Sequence, residues 1–557
     1  MKDFDTLENI FYAHSTNKII PGLERITRLL DRLGNPQNSF RSLHIVGTNG
    51  KGSTGAFLSS VFTASGYRTG FYSSPHLASP GERLLVDGEA LSPEKWIEAA
   101  HDVVSVMVDG EELPSYFELL TATAFVLMRR ENIEVGIIEA GLGGKFDATN
   151  VLGRCACSVI ASISIDHTEY LGSTLDSIAG EKFAVVKSGV PACFSGVDES
   201  LVPMFREVCR EKKALPFVVS EGARVENVRV SPEGNAFCFR AGGLGLHDVH
   251  TGSIDSTQAG STAPHTGLVD GVHVSNAKPL HSEKGLGLHD EHTGPIDSTQ
   301  AGSTAPHTGL VDGEHVSNAK PLYSEKGLGL HDVHTGPIDS TQAGSTAPHT
   351  GLVDGVHVSN ANPLYSEKGL GLHDVHTGLI GRYQVSNAAL ALSAVSCVMR
   401  EFPKITEDSI LAGMLNAKWP GRLEVVSREP LIVLDGGHNY DGVKKLCASV
   451  RELWPEKKFA VIYAAMRDKN FSGCLELLNT HLKPALYLTT VPGMDRAAKP
   501  DELLREAGKF TWDNSPVGVD VPIEAVNRAL NDGCNAVIVC GSLYLIGYMK
   551  KEHDFVA

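Results

Sequence analysis

Apolar residues along the first part of the chain follow two patterns, helical spacing and short continuous runs. Between Pro21 and Gly34, leucine and isoleucine recur every three or four residues, which predicts an amphipathic helix that ends at the glycine. Residues 42–46 form an apolar run that predicts a buried strand. A glycine-rich turn joins it to an apolar helix and then to a strand-like run at residues 68–74. This order predicts a parallel sheet with crossover helices.

Further strand candidates fall into two groups. Residues 134–144 and 155–167 are apolar runs that end in polar or glycine-rich loops, and they extend the first sheet. Four later runs alternate with helical segments: residues 429–439, 457–469, 485–493 and 535–547. They predict a second doubly wound domain from about Gly421 onward. We therefore expect an α/β protein with a P-loop parallel-sheet domain and a smaller C-terminal Rossmann-like α/β domain.

A 42-residue repeat separates the two groups. Full copies begin at Leu244, Leu286 and Leu328, and a fourth begins at Leu370 and stops after Gly378. Each copy is rich in Gly, Ser, Thr, His and Pro and has no helical or strand period, unlike solenoid repeats, which share a core. We expect a disordered insertion inside the first domain. The expected first domain, insertion and C-terminal domain are residues 1–243 with 370–420, residues 244–369, and residues 421–557.

Composition and charge narrow the class of protein. The 557 residues carry a formal net charge of −17, which argues against a general nucleic-acid binder. The three full repeat copies hold −9 of that charge and 13 of the 23 histidines, and copied low complexity is a better interpretation of them than metal binding. Ten cysteines without a CxxC pair indicate reduced thiols. No signal peptide or long apolar segment is present, so we expect a cytoplasmic protein that does not enter membranes.

The glycine-rich turn after the first strand is the strongest candidate for ligand binding. It reads GTNGKGST and lies between a predicted strand and a predicted helix, where backbone amides and the helix N-terminus can hold phosphates. Lys51 would reach the terminal phosphates. The turn is not a strict Walker A motif, since Gly52 separates Lys51 from Ser53. A glycine turn without a ligand is the alternative interpretation.

Polar residues at the ends of other strands are candidates for a metal site. Glu139 follows one apolar run, and His167 follows another. Side chains just past the carboxyl ends of parallel strands face the ligand crevice. Together with the hydroxyl of Ser74, they could share a divalent cation with phosphate oxygens. Taken singly, each is more often an ordinary polar loop residue.

Several runs together resemble a known family. These are PGLERI, HIVGTNGKGST, YSSPHL followed by GERL, YFELLTATA, IEAGLGGKFDATNV, SIDHTEYLG, IAGEKFAVVK, YQVSNAALAL, WPGRLE, LDGGHN, MRDK and CGSLY. In this order the chain resembles folylpolyglutamate synthase and dihydrofolate synthase of the Mur ligase superfamily. The resemblance covers nearly all of the chain outside residues 244–369. Phe146 stands where the family usually has leucine, and we expect it to crowd the pterin side of the pocket.

The resemblance assigns roles to residues of this sequence. It implies that the ATP phosphates are bound by Thr48, Asn49, Gly50, Lys51, Gly52 and Ser53. It implies that the rest of ATP is contacted across the cleft by Asn387, Arg422 and Asp435, with His438 in the same C-terminal motif. It implies that Mg²⁺ is held by Ser74, Glu139 and His167. It implies that the pterin or folate pocket is lined by Phe117, Glu118, Leu119, Leu120, Phe146, Asp147 and Ala148. Lys182 matches the lysine that family members carbamylate.

The implied activity is ATP-dependent ligation. ATP would phosphorylate a carboxylate of the folate, and the amine of L-glutamate would attack the acyl phosphate; dihydropteroate is a second, less certain substrate. Lys51, Lys182 and His438 are the implied catalytic residues, and a monomer is expected. A Mur-type ligase acting on a UDP-linked peptide is the alternative enzyme. A non-catalytic interaction protein that uses its repeats is the alternative from another class.

Overall fold

The computed structural model describes residues 3–16, 20–242 and 369–552. The predicted disorder of the insertion concerns residues that lie outside these ranges, apart from Gly369. The strands are β1 (Arg41–Val46), β2 (Thr69–Tyr72), β3 (Leu84–Val86), β4 (Glu89–Ala90), β5 (Val135–Glu139), β6 (Cys155–Ile160), β7 (Pro191–Phe194), β8 (Leu215–Val218), β9 (Ala223–Ser231), β10 (Gly234–Ala241), β11 (Leu370–Thr377), β12 (Glu424–Arg428), β13 (Leu431–Asp435), β14 (Ala460–Tyr463), β15 (Ala485–Leu488), β16 (Val517–Gly518) and β17 (Ala536–Cys540).

The helices alternate with these strands in the order that a parallel α/β protein requires. They are α1 (Phe4–His14), α2 (Glu24–Arg32), α3 (Lys51–Ala64), α4 (Pro93–Ser105), α5 (Tyr116–Arg130), α6 (Thr168–Leu171), α7 (Leu175–Phe183), α8 (Val202–Lys212), α9 (Val219–Gly222), α10 (Arg382–Val398), α11 (Glu407–Asn416), α12 (Tyr440–Leu453), α13 (Phe471–His481), α14 (Pro500–Ala507), α15 (Pro522–Asn531) and α16 (Leu543–Glu552). Helix α2 is the helix predicted between Pro21 and Gly34.

An eight-stranded sheet forms the first α/β region. Its strand order is β4-β3-β2-β5-β1-β6-β7-β8, and every pairing is parallel except those of β3 with its two neighbours. In this register, Ile45 of β1 lies beside Glu139 of β5, and Val46 lies beside Ile160 of β6. The loops that leave these three strands therefore start at one edge of the sheet, as the strand-end argument predicted.

The two faces of this sheet bury separate cores. Leu43 and Ile45 of β1 pack with residues of α3, α10 and α11, while Phe40 and Ile138 pack with α1, α2, α4 and α5. A strand covered by helices on both faces needs a continuous apolar run rather than an alternating one. That is the pattern from which residues 42–46 were predicted as a strand.

A small antiparallel sheet that the sequence pattern did not predict follows the first one. Its order is β11-β10-β9, and Ala241 at the end of β10 pairs with Leu370 at the start of β11. Strand β11 is the beginning of the fourth, incomplete repeat copy. Leu370, Leu372 and Val375 are buried in the main core, so this copy is part of the folded domain. The two ends of the insertion thus meet at one edge of a hairpin.

The C-terminal α/β region has a six-stranded sheet of order β12-β13-β17-β14-β15-β16. All pairings are parallel except that of β12 with β13. The four predicted strands are confirmed as β13, β14, β15 and β17. The pattern missed β12, which is half-exposed, and β16, which has two residues. Asp435 ends β13, which places the LDGGHN run at the carboxyl edge of the sheet.

Two expectations about the whole chain concern cysteines and membranes. All ten cysteines lie in the described residues, and none of them is paired in a disulfide. Across the described ranges, no helix combines the length and the apolar character needed to span a bilayer.

Candidate active site

A cavity of about 790 Å³ opens at the carboxyl edge of the first sheet. Both α/β regions contribute to its lining, and their described residues belong to one compact unit. The first region supplies the glycine turn after β1 and the loops after β2, β5 and β6. The second supplies Asp435 and His438 from the loop after β13. A crevice outside the carboxyl ends of parallel strands is where α/β proteins bind ligands.

The glycine turn is shaped by close contacts that exclude larger residues. Gly50 has φ +91°, and a Cβ there would lie 2.4 Å from Oδ1 of Asn387. A Cβ at Gly52 would lie 2.6 Å from the ring of Trp419. Helix α3 begins at Lys51, whose Nζ donates to the carbonyl oxygens of Gly47 (3.1 Å) and Thr48 (3.3 Å). The helix N-terminus and this ammonium group together form a place for anionic oxygens.

Glu139 is the buried carboxylate of the metal end of the cleft, which we define as Lys51, Ser74, Glu139, His167 and Lys182. Its Oε1 lies 3.9 Å from Nζ of Lys51, and its Oε2 is buried without a hydrogen-bond partner among the described residues. Burial raises the pKa of Glu139 to about 7, although the charge of Lys51 opposes the shift. A cation bound to the free oxygen would compensate this cost.

His167 and Ser74 line the same cleft as Glu139. The pKa of His167 is lowered, mainly by burial, so its imidazole is neutral and has a lone pair for a metal. A carboxylate oxygen, a neutral imidazole and a hydroxyl suit a divalent cation that also binds phosphate oxygens. The orphaned oxygen of Glu139 and this donor set therefore fit Mg²⁺.

Lys182 on α7 is a buried lysine with an unusual environment. It is 4% exposed, and its Nζ donates to the carbonyl oxygen of Gly47 at 3.0 Å. Burial, and next the charge of Lys51, lower its pKa to about 7. A large fraction of this amine is therefore unprotonated near neutral pH, which is the form that reacts with carbon dioxide.

Five of the seven residues predicted for the folate pocket line the cleft. Phe117, Glu118, Phe146, Asp147 and Ala148 line the cleft. Leu119 and Leu120 do not, because the helical turn of α5 directs them into the core, where both are fully buried. Phe146 is 47% exposed and has Nζ of Lys145 5.0 Å above its ring, so it borders the mouth of the pocket.

Asp147 holds the loop of the pocket in place. Its Oδ2 accepts the backbone N–H groups of Gly141 (2.9 Å) and Leu142 (2.8 Å), and its Oδ1 accepts from the backbone and hydroxyl of Thr149. His44 lies 2.8 Å from the same hydroxyl through Nε2. Both carboxylate oxygens thus stabilise the turn that faces the substrate.

The C-terminal side of the cleft carries groups that are already hydrogen-bonded. Asp435 accepts the backbone N–H groups of Gly437 (2.8 Å) and Leu423 (2.9 Å). Nδ1 of His438 donates to the carbonyl oxygen of Gly436 at 3.0 Å, and burial lowers the pKa of His438 to about 4. His438 is therefore neutral at physiological pH.

A polar seam joins the two α/β regions. We define it as Asn49, Asp166, Asn439, Asp441 and Lys469. Lys469 donates to Asp166 at 2.7 Å, and Asn439 donates to the other oxygen of Asp166 at 3.0 Å. Asn49 of the glycine turn donates to Asp441 at 3.0 Å. Burial acts to raise the pKa of Asp166, but the hydrogen bonds from Lys469 and Asn439 and the charge of Lys469 lower it below its usual value.

Comparison with known proteins agrees with this architecture. A family model described as Mur ligase, glutamate ligase domain, matches residues 421–543. The Bacillus subtilis dihydrofolate synthase/folylpolyglutamate synthase is 26% identical over 541 residues, which are 96% of this chain and 95% of that protein. The Lacticaseibacillus casei folylpolyglutamate synthase is 24% identical over 557 residues, 98% of this chain and 97% of that protein.

The fold also matches solved structures. The Mycobacterium tuberculosis folylpolyglutamate synthase complexed with ADP and AMPPCP has a TM-score of 0.71 and 21% identity, with 99% of this chain and 98% of that chain covered. Over nearly its whole length, the chain is thus similar to folylpolyglutamate synthases and dihydrofolate synthases.

The residues predicted to bind ligands converge on one cleft. Nineteen of the 21 predicted positions line it, together with side chains that sequence reasoning had not assigned, among them Arg25, Arg83, Lys469 and Arg496. Arg25 forms a buried ion pair with Glu118 at 3.2 Å. The quoted runs PGLERI and MRDK contain Arg25 and Lys469, so the signal was present, but their partners lie 93 and 303 residues away.

Proposed function

We propose that this protein is an ATP-dependent carboxylate–amine ligase that adds L-glutamate to a folate. The observation that carries the proposal is the joint lining of one cleft by Lys51, Glu139, His167 and Arg422, next to the aromatic pocket of Phe117 and Phe146. Charged groups for phosphoryl transfer thus adjoin an aromatic pocket for a flat ring system. The full-length similarity to the Bacillus subtilis enzyme supports the same activity.

The reaction consists of two steps that involve the same carboxyl group, the first at phosphorus and the second at the carbonyl carbon. An oxygen of the folate γ-carboxylate attacks the γ-phosphorus of ATP, and ADP leaves. The amine of glutamate then attacks the acyl phosphate, loses a proton and displaces phosphate, so that an amide bond replaces the mixed anhydride. Phosphoryl transfer needs positioning and neutralised oxygens rather than a protein nucleophile, and Lys51 and Arg422 supply positive charge on the two sides of the cleft.

A bound Mg²⁺ would neutralise phosphate oxygens and orient them for in-line attack. Ser74, Glu139 and His167 are the residues that would hold it. We further propose that Lys182 is carbamylated, since its lowered pKa leaves a reactive amine near Lys51. The carbamate converts a buried cation into an anion, which suits a metal site better.

The aromatic pocket serves one ring system in either of two reactions. Dihydropteroate is a proposed second substrate, because its ring matches that of folate and its single carboxylate would occupy the phosphate end. The monomeric state is also part of this proposal, and size-exclusion chromatography with light scattering tests it.

The deciding experiment is a substrate panel with purified full-length protein. ATP, MgCl₂ and glutamate are incubated with tetrahydrofolate, dihydropteroate or a UDP-linked muramoyl peptide, and phosphate release and product mass are recorded. We expect ATP-dependent glutamate addition to tetrahydrofolate, and none when glutamate is omitted. Product from the UDP-linked peptide alone would replace the proposal with the Mur-type activity. No product from any acceptor would favour a non-catalytic protein.

A further inference from the structure

Arg83 is a cleft arginine on a firmly held loop between β2 and β3. The carboxylate of Glu82 accepts the backbone N–H groups of Leu77 (2.7 Å) and Ser79 (3.1 Å), and a short 3₁₀ turn, Pro80–Arg83, ends at the arginine. The carbonyl oxygen of Arg83 accepts from the backbone of Ser73 at 2.9 Å. The backbone of Arg83 is therefore fixed relative to the first sheet.

The side chain of Arg83 is also oriented, but its charge is uncompensated by direct contact. It is 9% exposed, and its Nε donates to Nδ1 of His76 at 3.0 Å. Among the described residues, its Nη1 and Nη2 atoms have no hydrogen-bond or ion-pair partner. Arg25, the other arginine on this side, is paired with Glu118. A guanidinium held through Nε presents its two Nη groups as a fork for a carboxylate.

Arg83 lines the same cavity as Phe117 of the aromatic pocket and Glu139 of the metal end. Burial raises the pKa of Tyr116, beside the pocket, and the charge of Arg83 opposes this rise. Burial also raises the pKa of Glu139, and Arg83 acts against it together with Lys51 and Arg422. One guanidinium is thus near enough to influence both groups. A ligand that extends from the aromatic pocket to Lys51 occupies the cavity that this guanidinium lines.

A folate has a carboxylate at the corresponding point along its length. Its terminal glutamate carries the γ-carboxylate at the reactive end and the α-carboxylate nearer the ring. We propose that Arg83 binds the α-carboxylate of the terminal glutamate of the folate and that His76 is its positioning residue. The inference rests on the proposed function, because only a folate placed with its γ-carboxylate at the metal end brings the α-carboxylate to Arg83.

The test compares two ligands that differ by this carboxylate. One is tetrahydrofolate, and the other is its γ-aminobutyrate analogue, which lacks the α-carboxylate. Binding of both is measured by equilibrium titration without ATP, and turnover by phosphate release, for wild type and Arg83→Gln. We expect wild type to prefer tetrahydrofolate by about 10- to 100-fold in Kd and KM, which is the range of a charge-assisted bidentate contact. Arg83→Gln loses this preference, while its Kd for the analogue changes less than threefold.

Two results would overturn the assignment: equal binding of the two ligands by wild type, or equal weakening of both by Arg83→Gln, which indicates a structural role. Melting curves check folding, and Arg83→Lys is the second variant if Arg83→Gln is unfolded. Since binding is measured without ATP, failure of the proposed ligase activity gives no turnover but leaves the binding preference readable.

Two further variants test the positioning role of His76. His76→Gln keeps an acceptor near Nε of Arg83, and His76→Leu removes it. We expect His76→Leu to lose most of the preference for tetrahydrofolate and His76→Gln to retain most of it. An unchanged preference in His76→Leu contradicts the positioning role.

Discussion

The metal end and the polar seam belong to the same molecule, yet they differ in whether their buried charged groups have hydrogen-bond partners and in the direction of the carboxylate pKa shifts. At the metal end, Glu139 has an unpartnered oxygen and a raised pKa, and Lys182 has a lowered one. In the seam, the oxygens of Asp166 accept from Lys469 and Asn439, and its pKa is lowered. A buried carboxylate oxygen without a hydrogen-bond partner indicates a group that binds a ligand. A buried carboxylate with partners from both regions indicates a group that stabilises the contact between them.

The largest expected effect is on catalysis at the metal end. Glu139→Ala and His167→Ala should each lower kcat by about 10²–10³-fold, because each removes a ligand that neutralises transition-state charge. Both are expected to remain folded by circular dichroism and thermal melting. Glu476→Ala, at an exposed carboxylate of α13, is the matched control and should keep normal turnover. Near-normal kcat in both site variants would show that these residues do not hold the metal.

Lys182 comes next. Lys182→Ala should lose about 10²-fold in activity, and small carboxylates such as acetate should restore part of it by replacing the carbamate charge. Lys444→Ala, at an exposed lysine of α12, serves as the control. Intact-mass analysis under carbon dioxide that detects only free lysine in active enzyme would contradict carbamylation.

Stability should respond with opposite signs in the two places. Glu139 has its folded pKa raised to about 7, so its ionised form costs stability above that pH and nothing below the unfolded value. Without Mg²⁺, Glu139→Gln should therefore increase the free energy of unfolding by ~1–3 kcal/mol at pH 8 and leave it unchanged near pH 4.

Asp166→Asn should do the reverse. Since the folded pKa of Asp166 is lowered, its contribution is present above the unfolded pKa and lost as the pH falls below it. The substitution should cost about 1–3 kcal/mol at pH 8 and leave Lys469 without a carboxylate. Urea unfolding curves at pH 4 and pH 8 measure the free energy of unfolding of Glu139→Gln and Asp166→Asn. The same sign for both would remove the distinction between metal end and seam.

The smallest effect on activity is expected from the repeats. Deleting residues 244–369 joins Gly243 to Leu370, so a Gly242-Gly243 loop connects the paired residues Ala241 and Leu370. Two glycines are a favoured loop for a β-hairpin. Turnover should stay within twofold, and removing the long loop should add up to about 2 kcal/mol of stability. A folded but inactive deletion variant would mean that the repeats act on the cleft.

The sequence predicted those parts of the fold and site that depend on neighbouring residues. Continuous apolar runs revealed β1, β5, β6 and the four main C-terminal strands, and the glycine turn revealed the phosphate-binding end of the cleft. Strand β11 has the sequence LGLHDVHT. It was missed because this segment also belongs to a low-complexity repeat. Its burial depends on β10 and the core beneath it.

Contacts between side chains that are far apart in the sequence could not be predicted from the pattern of apolar and polar residues either. The contacts of Asp166 with Lys469 and of Arg25 with Glu118 depend on how loops meet in three dimensions. Leu119 and Leu120 were assigned to the pocket because a family run was carried over as a block. A helix turns about 100° per residue, so consecutive residues of α5 cannot all face one cavity.

The pairing of Ala241 with Leu370 also has a genetic consequence. The octapeptides that begin at Leu244 and Leu328 are identical to the sequence of β11. Unequal recombination between the copies removes or adds whole codons and leaves the same amino acids on both sides of the join. The number of units can therefore differ between related genes without a change in reading frame, and each product still encodes the strand that completes the hairpin.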